Sequence, residues 1–178
     1  MKPTAVLVDV DGTLVDVSGV LHYVNGSLGT TKSGKPIKNF DKFHAASAFC
    51  PANPQAVQYC ERAHAAGHAI VIVTARMEQW RHVTTEWLDA ELTVPYSGPF
   101  MRRDRDYRKD VDIKTEIHTK LAGRYDIVGA IDDNPNIIEL WESLDIPTET
   151  VARPVGDSSL VQQANTEGMQ YEQANRTR

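Results

Sequence analysis

The chain has 178 residues, 41% of them hydrophobic and 24% charged, the composition of a soluble globular protein with one full core and cramped room for a second domain. A formal net charge of −5 argues against a protein that coats nucleic acid through a broad basic face, but not against one that grips a single end through a few local cations. No apolar run approaches the ~20 residues of a membrane span, no charged-then-apolar leader precedes the first strand, and Cys50 and Cys60 read as reduced packing residues. The expectation is a cytoplasmic protein.

Ala5 to Val8 is a β-branched and apolar run, the pattern of a strand buried on both faces. It ends in Asp9 and Asp11, followed at once by Gly12. Alternation along an extended backbone sends both carboxylates to one side, where a cation or a shared proton would offset their repulsion. From Leu14 to about Ala46 the sequence lacks helical or strand periodicity and is rich in glycine, with Lys32, Lys35 and Lys38. So long a connection in a compact domain reads as a lid or binding flap, here residues 15–46, with a hairpin arm expected over Val17 to Val24. Phe40 and Phe43 imply that its end packs.

Asn53-Pro54 opens a helix with an N-cap and a first-turn proline; Val57, Cys60, Ala63 and His64 are its expected inner stripe, and Gly67 ends it. Ala69 to Val73 is a second buried strand, closed by Thr74-Ala75-Arg76. A helix with Trp80, Val83, Thr84, Trp87 and Leu88 on one face follows, then a turn-rich piece from Pro95 to Met101 with a short extended stretch expected at its end. Arg102 to Lys109 is the most basic block. Asp110 or Asp112 caps a helix with Ile113, Ile117 and Leu121 inside and Gly123 beyond it. Ile127 to Ile131 is a third strand, ending in Asp132-Asp133. Asn134-Pro135 repeats the cap-plus-proline device ahead of Ile137, Ile138, Trp141 and Leu144, and Pro147 to Val151 reads as a last strand. Beyond Pro154 the polar composition suggests a partly helical or disordered tail, residues 154–178.

Strands alternating with helices at this spacing imply right-handed crossovers and a parallel sheet: one doubly wound α/β domain over residues 1–153. Only such a fold brings Asp9/Asp11, Thr74/Arg76 and Asp132/Asp133 together, at the strand ends where open α/β sheets bind ligands. Carboxylates there suit phosphoryl transfer: Asp9 as nucleophile, Asp11 as general acid and then base, and Mg²⁺ held by Asp9, Asp132 and the Asp11 carbonyl. Asp133 completes that shell through water or orients Lys114. Thr74 and Lys114 would balance the charge of the transferred group.

Asp9-Val-Asp-Gly-Thr13, Thr74, Lys114 and Asp132-Asp133 resemble the four motifs of the haloacid-dehalogenase superfamily of phosphotransferases, across roughly Thr4 to Val151. Within it the chain is most similar to the 3′-phosphatase domain of phage-type polynucleotide kinase-phosphatase. That likeness rests on Val73-Thr-Ala-Arg76, Met101-Arg102, Asp106 to Asp110 with Lys114 four residues on, and Ile131-Asp-Asp-Asn-Pro135 followed by Glu139-Leu-Trp141. The resemblance implies a Rossmann-like core with a small cap after the first strand. It adds Arg76, Asp110 and Lys114 to the catalytic set, Arg76 on the substrate phosphate, and puts Arg102 and Arg108 near the nucleic-acid end. Three departures stand out. There is no GxxxxGK[ST] phosphate loop, no arginine between Gly12 and Glu61, where Lys32, Lys35 or Lys38 would have to substitute, and Asn134 where a basic residue is expected.

The first reading is therefore a Mg²⁺-dependent phosphatase of 3′-phosphorylated nucleic-acid ends or nucleotides, acting alone or beside a separate kinase or ligase. The second is a phosphatase of small phosphomonoesters such as free nucleotides, and the third a non-catalytic binding module on the same fold.

Overall fold

In the structure, a computed structural model, residues 1–151 are described. The chain runs β1 (Thr4–Val8), a 3₁₀ turn (Val17–Tyr23), α1 (Phe40–Ser47), α2 (Pro54–Ala65), β2 (Ala69–Met77) and a short 3₁₀ turn (Glu78–Trp80). It continues through α3 (Arg81–Glu91), β3 (Tyr96–Arg102), α4 (Asp110–Ala122), β4 (Asp126–Asp132), α5 (Pro135–Ser143) and β5 (Thr148–Thr150). The five strands are all parallel, in the order β3-β2-β1-β4-β5.

β1 is central. Val8 pairs with Ile72 on one side and Ile131 on the other, so the ends of β1, β2 and β4 lie abreast. Its alternation feeds two cores. Val6 and Val8 join Ile70, Ile72, Phe43, Cys60, Trp87 and Leu88 on the face covered by α1, α2 and α3. Ala5 and Leu7 join Val71, Val73, Ile113, Ile117, Ile137 and Trp141 under α4 and α5. The chain winds one way to β3 and returns to β4, so the reversal falls beside β1, at a topological switch point.

Several expectations are corrected. The segment after β1 carries no hairpin over Val17–Val24. Asp16 caps a 3₁₀ turn by accepting from the Ser18 amide, and Val17 and Val20, three residues apart, are both buried by it. The segment's second half ends in α1, capped by Asn39, with Phe43 inside. On α2, Ala56 is buried while His64 is exposed; Leu144, the C-cap just past α5, is exposed. Trp80 lies in the 3₁₀ turn ahead of α3, not on it. Lys109, not an aspartate, occupies the N-cap of α4, because the Asp110 side chain is drawn to Arg102. Cys50 and Cys60 are free and buried. The proposed tail, 154–178, lies outside the described residues. Among those described, no helix is long and apolar enough to cross a membrane.

Candidate active site

The turn after β1 shapes the site. Val15 donates its amide to the Val10 carbonyl and Gly12 to that of Val15, closing a tight loop beyond Asp9. Gly12 sits at φ +80°, and a Cβ there would meet the Asp133 carboxylate at 2.4 Å, so backbone and space both demand glycine. Thr13 donates to Asp133 Oδ1 at 3.3 Å, which ties this loop to the end of β4.

The two aspartates that frame the loop face different partners. Asp9 is buried, and its Oδ1 accepts from Lys114 Nζ at 2.6 Å. The same ammonium donates to Asp132 Oδ2 at 2.7 Å, so a buried lysine from α4 bridges the ends of β1 and β4. Asp132 is further fixed by accepting the Asn134 amide at 3.0 Å. Burial pushes the Asp9 carboxyl well above the usual carboxylate range; Lys114 works against this, while Asp132 and Asp133 add to it. Burial disfavours the Lys114 ammonium, but Asp132 and Asp9 outweigh it and the group is held charged. One oxygen from each of Asp9, Asp132 and Asp133 lies within 4.8 Å of the others. Asp9 and Asp132 are buried and Asp133 half-buried, and carboxylate oxygens gathered in this way fit a hard divalent cation.

Asp11 belongs to another arm. Arg76 Nε donates to its Oδ2 at 2.8 Å and Nη2 to its Oδ1 at 2.5 Å, a two-pronged grip by a guanidinium only 1% exposed. Burial favours the neutral acid, but Arg76 prevails and holds Asp11 below the usual range. Arg76 is itself fastened. Nη1 donates to Thr84 on α3 and Nη2 to Ser47 on α1, and those hydroxyls donate to the carbonyls of Trp80 and His44. Thr74, also buried, accepts the Arg76 amide through its Oγ1 at 3.2 Å. Beside Asp11 stands His44, with Nδ1 3.8 Å from Oδ2. Burial, reinforced by Arg76 and Arg102 against the pull of Asp11, lowers its pKa to about 4. Arg76 spends Nε and Nη2 on Asp11, and the Asp11 carboxylate is not among the three that cluster within 4.8 Å.

The basic block is mostly spent on itself. Arg102 is 0% exposed: it donates to the carbonyls of Ala75, Asp106 and Arg108 and pairs with Asp110. It staples the 102–110 loop to β2 and is not available to a nucleic-acid end, contrary to the expectation for it. Asp110 is the anionic end of that staple; burial raises its carboxyl against Arg102 and Lys114. Arg108 is half-exposed and pairs with Asp106 and Glu116. Lys32 and Lys35 are exposed, and Thr30 bridges to Pro36 around them. The segment after β1 reaches Asp11 and Arg76 instead through His44 and Ser47.

His44, Ser47 and Thr84 are the residues that sequence reasoning missed in this role. Phe40, Phe43, His44 and Ser47 stand at i, i+3, i+4 and i+7, the spacing of one helix face. Glycines upstream and the short span of α1 hid that signal.

Acid-tipped central strands on a sheet of this order define the haloacid-dehalogenase class of phosphatases. Within that class, the family model described as the polynucleotide kinase PNKP phosphatase domain matches residues 29–155, and the chain belongs to that family. The matched span begins after the Asp9–Thr13 turn. A protein named as a bifunctional polynucleotide kinase/RNA ligase, from Autographa californica nuclear polyhedrosis virus, is 27% identical over 147 residues, 82% of this chain and 19% of that protein. Among solved structures, the Pnkp1/Rnl/Hen1 RNA repair complex contains a chain 23% identical, with a TM-score of 0.67 over 87% of this chain and 44% of that one. The class C acid phosphatase of Bacillus anthracis with tungstate bound is 13% identical, with a TM-score of 0.63 over 97% and 79%. The two structures share the fold. This chain spans about a fifth of the viral protein and under half of the repair-complex chain.

Proposed function

We propose that the chain is a Mg²⁺-dependent phosphatase of 3′-phosphorylated nucleic-acid ends, working through an aspartyl-phosphate on Asp9. The observation that carries this reading is the division of labour between the two aspartates. Asp9 lies buried against Lys114, whereas Asp11, two residues on, is clamped by Arg76 on the other side of the turn. A nucleophile and a proton carrier need different surroundings, and the turn supplies them.

Asp9 attacks phosphorus, the bond to the leaving oxygen breaks, and Asp11, ionised against Arg76 in the resting site, takes the proton of the monoanionic ester and passes it to that oxygen. Asp11 then takes a proton from water as it attacks the aspartyl-phosphate, which releases phosphate and restores Asp9. Lys114 and the Thr74 hydroxyl offset the charge of the transferred group, and Arg76 aims Asp11. Asp9, Asp132 and Asp133 would hold Mg²⁺, with Asp11 contributing only its backbone carbonyl. The metal, when bound, supplies charge neutralisation at the phosphoryl oxygens. Arg108 is the remaining candidate from the basic block for a contact with the polynucleotide. The names of the relatives set kinase and ligase activities beside such a domain, and a separate kinase or ligase is the partner we assign.

The test is Mg²⁺-dependent phosphate release from a 3′-phosphorylated oligonucleotide, its 5′-phosphorylated twin, a 3′-mononucleotide and an aryl phosphate. The expected result is strong preference for the 3′-phosphorylated oligonucleotide. Equal or better turnover of the small esters would replace this reading with a general nucleotide phosphatase.

A further inference from the structure

His44 Nδ1 is buried and has no hydrogen-bond partner among the described residues. A buried polar atom left unpaired is costly, and it persists where something else supplies its partner during function. The ring is not loosely placed. Its centroid lies 5.2 Å from that of Phe43, edge-on, and 5.5 Å from that of Trp80, with Phe40 at 6.3 Å. These rings come from α1 and from the turn before α3, so the imidazole is wedged between two elements that also fasten Arg76. Its carbonyl accepts from Ser47, which in turn accepts from Arg76.

The direction of the orphaned nitrogen matters. It faces Asp11 Oδ2 across 3.8 Å, too far for a hydrogen bond between them. An oxygen atom placed between the two can lie at roughly 2.9 Å from each, an ordinary hydrogen-bond distance. Asp11 is the proton carrier in the proposed reaction, so the oxygen that approaches it is the leaving oxygen of the ester, and later the attacking water. Arg76 grips Asp11 through Nε and Nη2, and His44 Nδ1 flanks Oδ2; since Nδ1 is buried, an oxygen bound there parts the ring and the carboxylate slightly.

We propose that His44 is a further catalytic residue. Its Nδ1 donates a hydrogen bond to the leaving oxygen as the P–O bond lengthens, while Asp11 transfers its proton to the same atom. In the second half-reaction the water oxygen takes that place: it gives its proton to Asp11 and its lone pair to phosphorus, and the bond from Asp9 to phosphorus breaks. No proton leaves His44 in either step. The inference rests on the proposed aspartyl-phosphate chemistry but on no particular alcohol.

The test is the dependence on leaving group. An alkoxide, such as the 3′-oxygen of a sugar, needs both protonation and a hydrogen bond to depart; an acidic phenoxide needs little of either. In His44→Phe the ring packing against Phe43 and Trp80 is kept and the nitrogen lost. Its kcat/KM on the 3′-phosphorylated oligonucleotide is expected to fall on the order of tenfold to a hundredfold, the lower range for one lost transition-state hydrogen bond. On p-nitrophenyl phosphate the fall is only a few-fold. In His44→Asn a side-chain amide stands where Nδ1 stood, and most of the loss on the oligonucleotide is recovered. Equal losses on both esters, or an asparagine variant no better than the phenylalanine one, would reduce His44 to a packing residue and overturn the proposal. Should the wild type refuse the oligonucleotide, the substrate assignment fails, and the same comparison is made on whichever alkyl phosphomonoester it does cleave.

Discussion

Asp9 and Asp11 show how two identical side chains, two residues apart, come to differ. The buried Lys114 pairs with one and the clamped Arg76 with the other. Asp9→Asn is expected to abolish phosphate release while the thermal transition persists, because the amide is isosteric but cannot attack phosphorus. Retained turnover would remove Asp9 as nucleophile. Asp11→Asn loses the proton but keeps the shape, and kcat should drop by about a hundredfold to ten-thousandfold, the usual worth of general acid–base catalysis. Both acids were legible in the sequence, since a buried strand followed by DxDGT is a specific string. Their separate partners were not. Alternation along an extended strand implied one shared cation or proton, but β1 ends at Val8 and the turn carries Asp11 round to Arg76.

Among the elements, strands and capped helices were the readable part. β1, β2 and β4 are apolar runs, and Asn53-Pro54 and Asn134-Pro135 cap α2 and α5 as expected. The insertion after β1 was harder, because its glycines and lysines mask the four-residue stripe that packs α1 onto the site. The 102–110 loop was misread for a different reason: nothing in a run of arginines says that one of them points inward. Arg102 now carries a prediction. In Arg102→Leu the Asp110 carboxylate and three carbonyls lose their donor, a buried pair broken on one side, at a cost of about 3–5 kcal/mol. At roughly 2–4 °C per kcal/mol for a domain of this size, the melting temperature should fall by about 10 °C. Nucleic-acid affinity measured well below that temperature should change little. Stability equal to wild type with weakened binding would make Arg102 a substrate contact after all.

Two properties belong to the molecule as a whole. The cluster of Asp9, Asp132 and Asp133 strains the metal-free protein electrostatically, so Mg²⁺ should stabilise it by about 2.7 kcal/mol at a hundred times its dissociation constant. The rise in melting temperature should be absent in Asp132→Asn; a rise of the same size there would place the cation elsewhere. The second is acid sensitivity. Asp11, Asp106 and Glu116 have folded pKa values held below their ordinary ones by Arg76, Arg108 and Lys120, Glu116 at about 2. A carboxyl depressed on folding stabilises above its unfolded value and loses that contribution as pH falls through the folded one. His44, held near 4 by burial, takes up its proton only on unfolding, so denaturation midpoints should begin to decline below about pH 6.5 and fall more steeply below about pH 4.5; midpoints flat between about pH 7 and 5 would contradict the burial of His44. The sheet also parts the site along its plane. Lys114 rises from the core under α4 and α5, whereas His44, Ser47 and Thr84 come from elements over the opposite face. The Asp9–Lys114 half and the Asp11–His44 half can thus diverge independently. Exchanging the stretch between Val15 and Ala52 for a foreign one would retune which alcohols depart while Asp9, the nucleophile we propose, and its lysine stay as they are, a seam along which this scaffold can be bred for new esters.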